Sequence, residues 1–156
     1  MFPPQFIALE RIGNGLEIAS KKRLLEVLAE LLASDVPGLT PDTVFEQLLE
    51  RERLGSTGLG HGIALPHARM KDVNEALGAF VQLRDGVDFD AIDDRPVDLA
   101  FAMLVPDSAS EVHLQLLSKL AAMFDNRGLR EQLREAGDRQ GILKLLVDNE
   151  EQTPDG

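Results

Sequence analysis

Between Leu99 and Val105 the chain reads LAFAMLV, seven positions without a polar side chain, and then meets Pro106. Successive side chains of a strand point to opposite faces, so an uninterrupted apolar run is a strand buried on both sides. It is too short to cross a bilayer. Both faces must therefore be covered by the rest of the chain, and helices are the elements that cover a two-sided sheet.

Helices are supplied. After Ser20, KKRLLEVLAELLA sets Leu24, Leu25, Leu28, Leu31 and Leu32 on one helical face. Thr40-Pro41 is an N-cap and first-turn pair opening a segment with Val44, Phe45, Leu48 and Leu49 on one side, ending in Glu50-Arg51-Glu52-Arg53. Ser108 and Glu111 stand at capping-box spacing before a third apolar face of Val112, Leu116, Leu117, Leu120 and Phe124. Leu129 to Ala136, closed by Gly137, and Gln140 to Val147 read as further helices.

The extended candidates are Ile63-Ala64-Leu65, cut off by Pro66, then Ala76 to Leu83, then Val87 to Phe89, with Asp85-Gly86 as a hairpin turn between the last two. The alternation predicts one α/β domain: a sandwich with a mixed parallel/antiparallel sheet flanked by helices, the antiparallel part coming from that hairpin. The domain is expected over residues 5–148, followed by a polar, frayed tail at 149–156.

A length of 156 residues, 44% hydrophobic and 28% charged, suits a globular fold with its own core. The formal charge of −11 repels phosphate backbones and anionic lipid, which argues against nucleic acid and membrane as partners and favours a partner with a basic rim. With no cysteine there is no disulfide, thiolate metal site or thiol nucleophile, so chemistry falls to oxygen and nitrogen. MFPPQFIALERIG has neither the charged start nor the long apolar core of a signal peptide, and a cytoplasmic protein is expected.

The chemistry concentrates in GSTGLGHGIALPHAR, Gly55 to Arg69. No Gly-Lys-Ser/Thr is present, so a P-loop lacks its lysine, and the glycines lead into β-like residues rather than a helix, against a dinucleotide fold. Two readings stay open for the glycine run. It is a set of turns that need positive φ, or its uncovered amides, with the hydroxyls of Ser56 and Thr57, surround an anion. His67 follows Pro66, whose fixed φ mounts the imidazole on a stiff strand end, as a nucleophile requires.

His113 falls in the first turn of a helix that begins beyond a buried strand, a place where anions gather; alternatively it is a half-buried side chain on an amphipathic helix. His61, His67 and His113 read poorly as a metal triad, because acidic neighbours and H-x3-H spacing are lacking. Arg51 and Arg69 are candidate phosphoryl ligands or ordinary salt-bridge partners, Arg51 being flanked by Glu50 and Glu52.

Taken together, RERLGSTGLGHGIALPH and the downstream VHLQLLSKLA resemble the enzyme IIA domain of the bacterial phosphotransferase system, fructose/mannitol type, a group that also holds nitrogen-regulatory members. The resemblance runs over nearly the whole chain. It implies that His67 accepts a phosphoryl group from a histidine phosphocarrier protein, that His113 assists, and that Arg51 is the family's arginine; Arg51, Ser56 and Thr57 are the residues expected to bind the phosphoryl oxygens. No cofactor or metal is implied. The lack of fused IIB and IIC regions favours nitrogen or metabolic regulation over sugar transport, the alternatives being a separate sugar-transport IIA or an interaction module that is not phosphorylated. Two residues depart from the pattern: His61 stands where asparagine is commoner, and Ala68 where glycine is.

Overall fold

The computed structural model describes residues 2–108 and 111–154, the side chain of Val112 excepted. A 3-10 turn at Leu9–Arg11 leads into β1 (Ile12–Leu16), α1 (Lys21–Ala33) and α2 (Pro41–Arg53). Short strands β2 (Gly58–Gly60), β3 (Ile63–Ala64) and β4 (His67–Met70) precede the long pair β5 (Leu77–Val87) and β6 (Val97–Pro106). Helices α3 (Glu111–Phe124), α4 (Arg127–Glu135) and α5 (Arg139–Gln152) complete the chain. Ser20, Thr40, Asn126 and Asp138 cap α1, α2, α4 and α5 through their side chains, each accepting a backbone N–H in the first turn.

One mixed sheet, in the order β1-β5-β6-β3-β2 with β4 also on β6, separates two cores. Strand β6 is the predicted two-sided strand. Its Ala100, Ala102 and Leu104 join Leu24, Leu25, Leu28 and Leu32 of α1 and Val44 and Leu48 of α2 on one face. Leu99, Phe101, Met103 and Val105 alternate onto the other, against Leu116, Leu120 and Phe124 of α3, Leu129 and Leu133 of α4, and Ile142 and Leu146 of α5. Small residues on the first face let the leucine-rich helices approach closely. The second is filled by larger rings, including the stacked Phe80 and Phe124 with centroids 6.1 Å apart.

The mixed sheet is as predicted, but its antiparallel part arises differently. Asp85 and Gly86 lie inside β5 rather than at a turn. The ladder from β5 to β6 is antiparallel and slips register between Gln82 and Val87, so the dipeptide is absorbed as an irregularity of a long strand. The chain reverses only afterwards, through a loop anchored by the buried Phe89. The parallel pairings are β1 with β5 and both β3 and β4 with β6.

The start of α3 is described only from Glu111, and the expected Ser108 cap turns on residues 109 and 110, which lie outside the described part; one boundary does move. The expected tail from Asn149 continues α5 to Gln152, because Glu150 is buried and paired with the equally buried Lys119 of α3 at 3.3 Å.

Gln82 of β5 holds the layers together at the end of α4. Its Nε2 donates to the Leu133 and Arg134 carbonyls at 2.9 Å each, and its Oε1 accepts from Asn14 Nδ2 at 2.7 Å and Gly15 N at 2.8 Å. Gln82→Leu strands these groups at a buried site and is expected to cost about 2–4 kcal/mol, read as a lower urea midpoint at unchanged slope. A change below about 0.5 kcal/mol would contradict the clamp.

Candidate functional site

Pro66 has no N–H to give to a neighbouring strand, and the pairing along β6 breaks there. Ile63 and Ala64 face Leu99 and Ala100, pairing resumes with His67 opposite Met103, and the Pro66 carbonyl still accepts from Met103 N at 2.9 Å. Leu65 N turns instead to the Thr57 carbonyl at 3.0 Å. The Leu65 carbonyl meets Nδ1 of His67 at 2.8 Å. His67 is thus the first residue of a new strand, not the overhang of the preceding one as the sequence suggests.

A carbonyl only accepts, so Nδ1 carries the hydrogen and Nε2 of the neutral ring keeps its lone pair. Burial of the half-exposed ring holds its pKa below the ordinary histidine value, and the positive charge of Arg51 pushes the same way. The Leu65 bond and the negative charge of Glu52 oppose this without reversing it. At neutral pH the ring is uncharged, with its lone pair on Nε2.

His67 opens on a cavity of about 510 Å3 between α2 and α3 at the C-terminal end of β6. Arg51 from α2, His113 from α3, and Arg69, two positions beyond His67 on β4, share its wall. Arg51 is fixed by donating from Nη1 to the Gly55 carbonyl at 2.9 Å. The rim carries two exposed leucines, Leu54 at 84% and Leu114 at 60% of full exposure. The sequence candidates His67, His113, Arg51 and Arg69 are therefore brought together.

Ser56 and Thr57 are not among the cavity's lining residues. Ser56 Oγ donates to the Phe89 carbonyl at 2.9 Å and accepts from Gly58 N at 3.0 Å. The Thr57 hydroxyl donates to the Glu52 carboxylate, which also accepts from Thr57 N at 3.1 Å. Their hydroxyls are engaged within the loop, away from the cavity wall. The glycine run itself is a β2–β3 ribbon rather than a cradle of open amides. Gly58 is required by close packing, since a Cβ there would lie 2.7 Å from that of Ala91.

His61 turns that ribbon at φ 57° and lines a different cavity, so the three histidines do not converge. Left-handed backbone favours asparagine among non-glycine residues and tolerates histidine, so His61 fits this turn. Ala68, in contrast, sits in regular β4 and needs no positive φ. Among the described residues, no three His, Asp or Glu side chains gather as metal ligands.

Sequence reasoning missed Glu52. It is 7% exposed, and besides Thr57 it binds Lys21 Nζ at 3.1 Å, an ammonium that also sits 4.5 Å over the Phe89 ring. The signal was the spacing Val44, Leu48, Glu52, which puts the carboxylate on the apolar face of α2 while Arg51 points elsewhere. Glu52 ties the end of α2 to the loop that precedes His67.

Residues 5–149 match the family model described as phosphoenolpyruvate-dependent sugar phosphotransferase system, EIIA 2, and the chain belongs to this family. It is 46% identical over 129 residues to a nitrogen regulatory protein of Pseudomonas aeruginosa, covering 83% of this chain and 84% of the relative. The crystal structure of nitrogen regulatory protein IIA-Ntr from Neisseria meningitidis superposes with a TM-score of 0.86 at 43% identity, over 90% of this chain and 96% of that one. The IIA mannitol structure from Escherichia coli gives 0.75 at 28% identity, over 90% and 98%. No described helix is long and apolar enough to cross a membrane.

The electrostatics predict that the His67 ring titrates below pH 6.5 in a proton NMR series, and that Arg51→Gln moves the midpoint up. Because the folded pKa is depressed, its contribution to stability is complete above the unfolded pKa and is lost as pH falls through the folded value. His67→Gln should lessen that acid loss of stability. A midpoint above 6.5, or one indifferent to Arg51, would contradict the assignment.

Proposed function

We propose that this member of the EIIA 2 family is a phosphohistidine carrier that receives its phosphoryl group on His67 from a histidine phosphocarrier protein and serves nitrogen or metabolic regulation. The observation that carries the reading is the Nδ1–H···O=C bond from His67 to Leu65, which leaves Nε2 as the nucleophile of a neutral ring in the cavity shared with His113 and Arg51.

The transfer is an in-line displacement. The Nε2 lone pair forms a bond to phosphorus while the donor's N–P bond breaks and its electron pair returns to the donor imidazole. Nδ1–H stays in place, and the Leu65 carbonyl stabilises the positive character the ring gains. Arg51 and His113 offset charge on the phosphoryl oxygens, and positioning with electrostatics supplies most of the catalysis. Ser56 and Thr57 contribute by holding the loop. The exposed Leu54 and Leu114 give the donor an apolar rim to dock against, and the acidity of the chain favours a donor with a basic patch.

The 46% identity to a nitrogen regulatory protein supports the regulatory reading. The likeness to enzyme IIAMTL of Escherichia coli, solved in complex with phosphorylated enzyme IIBMTL, supports a second one, in which the phosphoryl group passes to a IIB domain. Transfer assays to sugar-specific IIB domains separate them, because a regulatory carrier leaves those domains unlabelled.

Incubation with a phosphorylated histidine phosphocarrier is expected to add one acid-labile phosphoryl group to the wild type and none to His67→Gln. His113→Gln should slow the transfer by about 10²-fold, as loss of one oxyanion donor does. An unlabelled wild type, or a label surviving in His67→Gln, would refute the carrier reading; unchanged kinetics in His113→Gln would reduce that residue to packing.

A further inference from the structure

At the opposite end of β6 lies a second cavity, of about 620 Å3, where the chain's charge is reversed. Four guanidinium groups, Arg95, Arg127, Arg130 and Arg134, meet there with two carboxylates, Asp98 and Glu131, in a protein whose formal charge is −11. Positions 127, 130 and 134 are spaced i, i+3, i+7 and so line one face of α4, while Leu129 and Leu133 anchor the other in the core. Arg95 arrives from the loop before β6. Asp98 precedes Met103, the partner of His67, by five positions, so the two cavities stand about 17 Å apart along the strand.

The four arginines differ in what holds them. Arg134 is locked: its fork binds Asp98 through Nε at 2.8 Å and Nη2 at 3.0 Å, and also reaches the His61 carbonyl. The left-handed turn His61-Gly62 is shaped around this fork, for a Cβ on Gly62 would lie 2.6 Å from Asp98 Oδ1. Arg127 makes an exposed pair with Glu131 at 3.0 Å, an interaction of little net strength that a stronger anion can displace.

Arg130 is the unusual one. It is 8% exposed, and its only polar partner among the described residues is the Phe124 carbonyl, bound by Nη1 at 2.9 Å. Among the described residues no fully buried side-chain nitrogen lacks a hydrogen-bond partner, so the remaining nitrogens of Arg130, which lines the cavity, are accessible. Those donors are held by water or by an anion that enters the cavity, and no carboxylate competes for them. Arg95, at an exposed position, makes no side-chain hydrogen bond among the described residues, and its charge acts on the nearby Asp93 carboxylate.

We propose that this cavity binds the di- or polyphosphate group of a small molecule, at a site separate from His67. Planar guanidinium forks match phosphoryl oxygens two at a time, and groups held by α4 and by the loop before β6 span more than one phosphoryl unit. Arg130 and Arg134 form the fixed floor, and Arg95 and Arg127 close over the ligand.

The test is a titration with inorganic pyrophosphate at constant ionic strength and without divalent cations, followed by calorimetry and amide chemical shifts. Saturable one-site binding is expected, with shifts at Gly62, Asp98 and along α4, and with unchanged affinity in His67→Gln. Arg95→Gln and Arg127→Gln, both at exposed positions, should each weaken binding by about tenfold, while Lys144→Gln leaves it alone. Absence of saturable binding overturns the proposal. So does loss of binding in His67→Gln, equal weakening by Lys144→Gln, or orthophosphate binding as tightly as pyrophosphate.

Discussion

The site depends on a missing hydrogen. Pro66 has no N–H, so the strand line formed by β3 and β4 along β6 is interrupted for two residues, and the Leu65 carbonyl is turned out of the ladder toward a side chain. That carbonyl sets the tautomer of His67. The resumed pairing with Met103 sets the ring's position, and β6, buried on both faces, gives the mount its rigidity. A continuous edge strand would have spent the Leu65 carbonyl on backbone pairing and left the imidazole free to rotate.

Around this mount, two layers each contribute one charged or basic group. Helix α2 brings Arg51, and α3 brings His113, from opposite sides of the sheet. Their meeting at the C-terminal end of a central strand follows from the layer architecture, because helices packed on both faces overhang that end. Glu52 couples one layer to the loop: its carboxylate is held by Lys21 and holds Thr57, so α1, α2 and the glycine ribbon share one buried polar junction. Breaking one partner of such a junction leaves a buried charge, which is why it specifies a single loop geometry.

Much of this was legible in the sequence because its signals were local. The caps at Ser20 and Thr40, the leucine faces of α1 and α2, and the apolar run of β6 each state their own structure. His67, His113 and Arg51 stood out through motif and spacing. Features set by distant contacts were not legible. Asp85-Gly86 has turn chemistry, yet pairing with β6 keeps it extended; β1 shows no clear period, yet it pairs in parallel with β5. The hydroxyls of Ser56 and Thr57 look available in the sequence, but Phe89 and Glu52 claim them. Asn149 begins a polar stretch, and the buried Glu150, paired with Lys119 and accepting from Phe2 N, ties the helix down through it.

The account stands on one nitrogen. Phosphorylated protein with nitrogen-15 in its histidine rings, examined by correlation of ring nitrogens with ring protons and phosphorus, reports which atom of His67 bears the phosphoryl group and which bears hydrogen. The account predicts phosphorus on Nε2 with Nδ1 still protonated. Phosphorus on Nδ1 would mean that the Leu65 carbonyl does not set the reacting atom, and the account would be wrong.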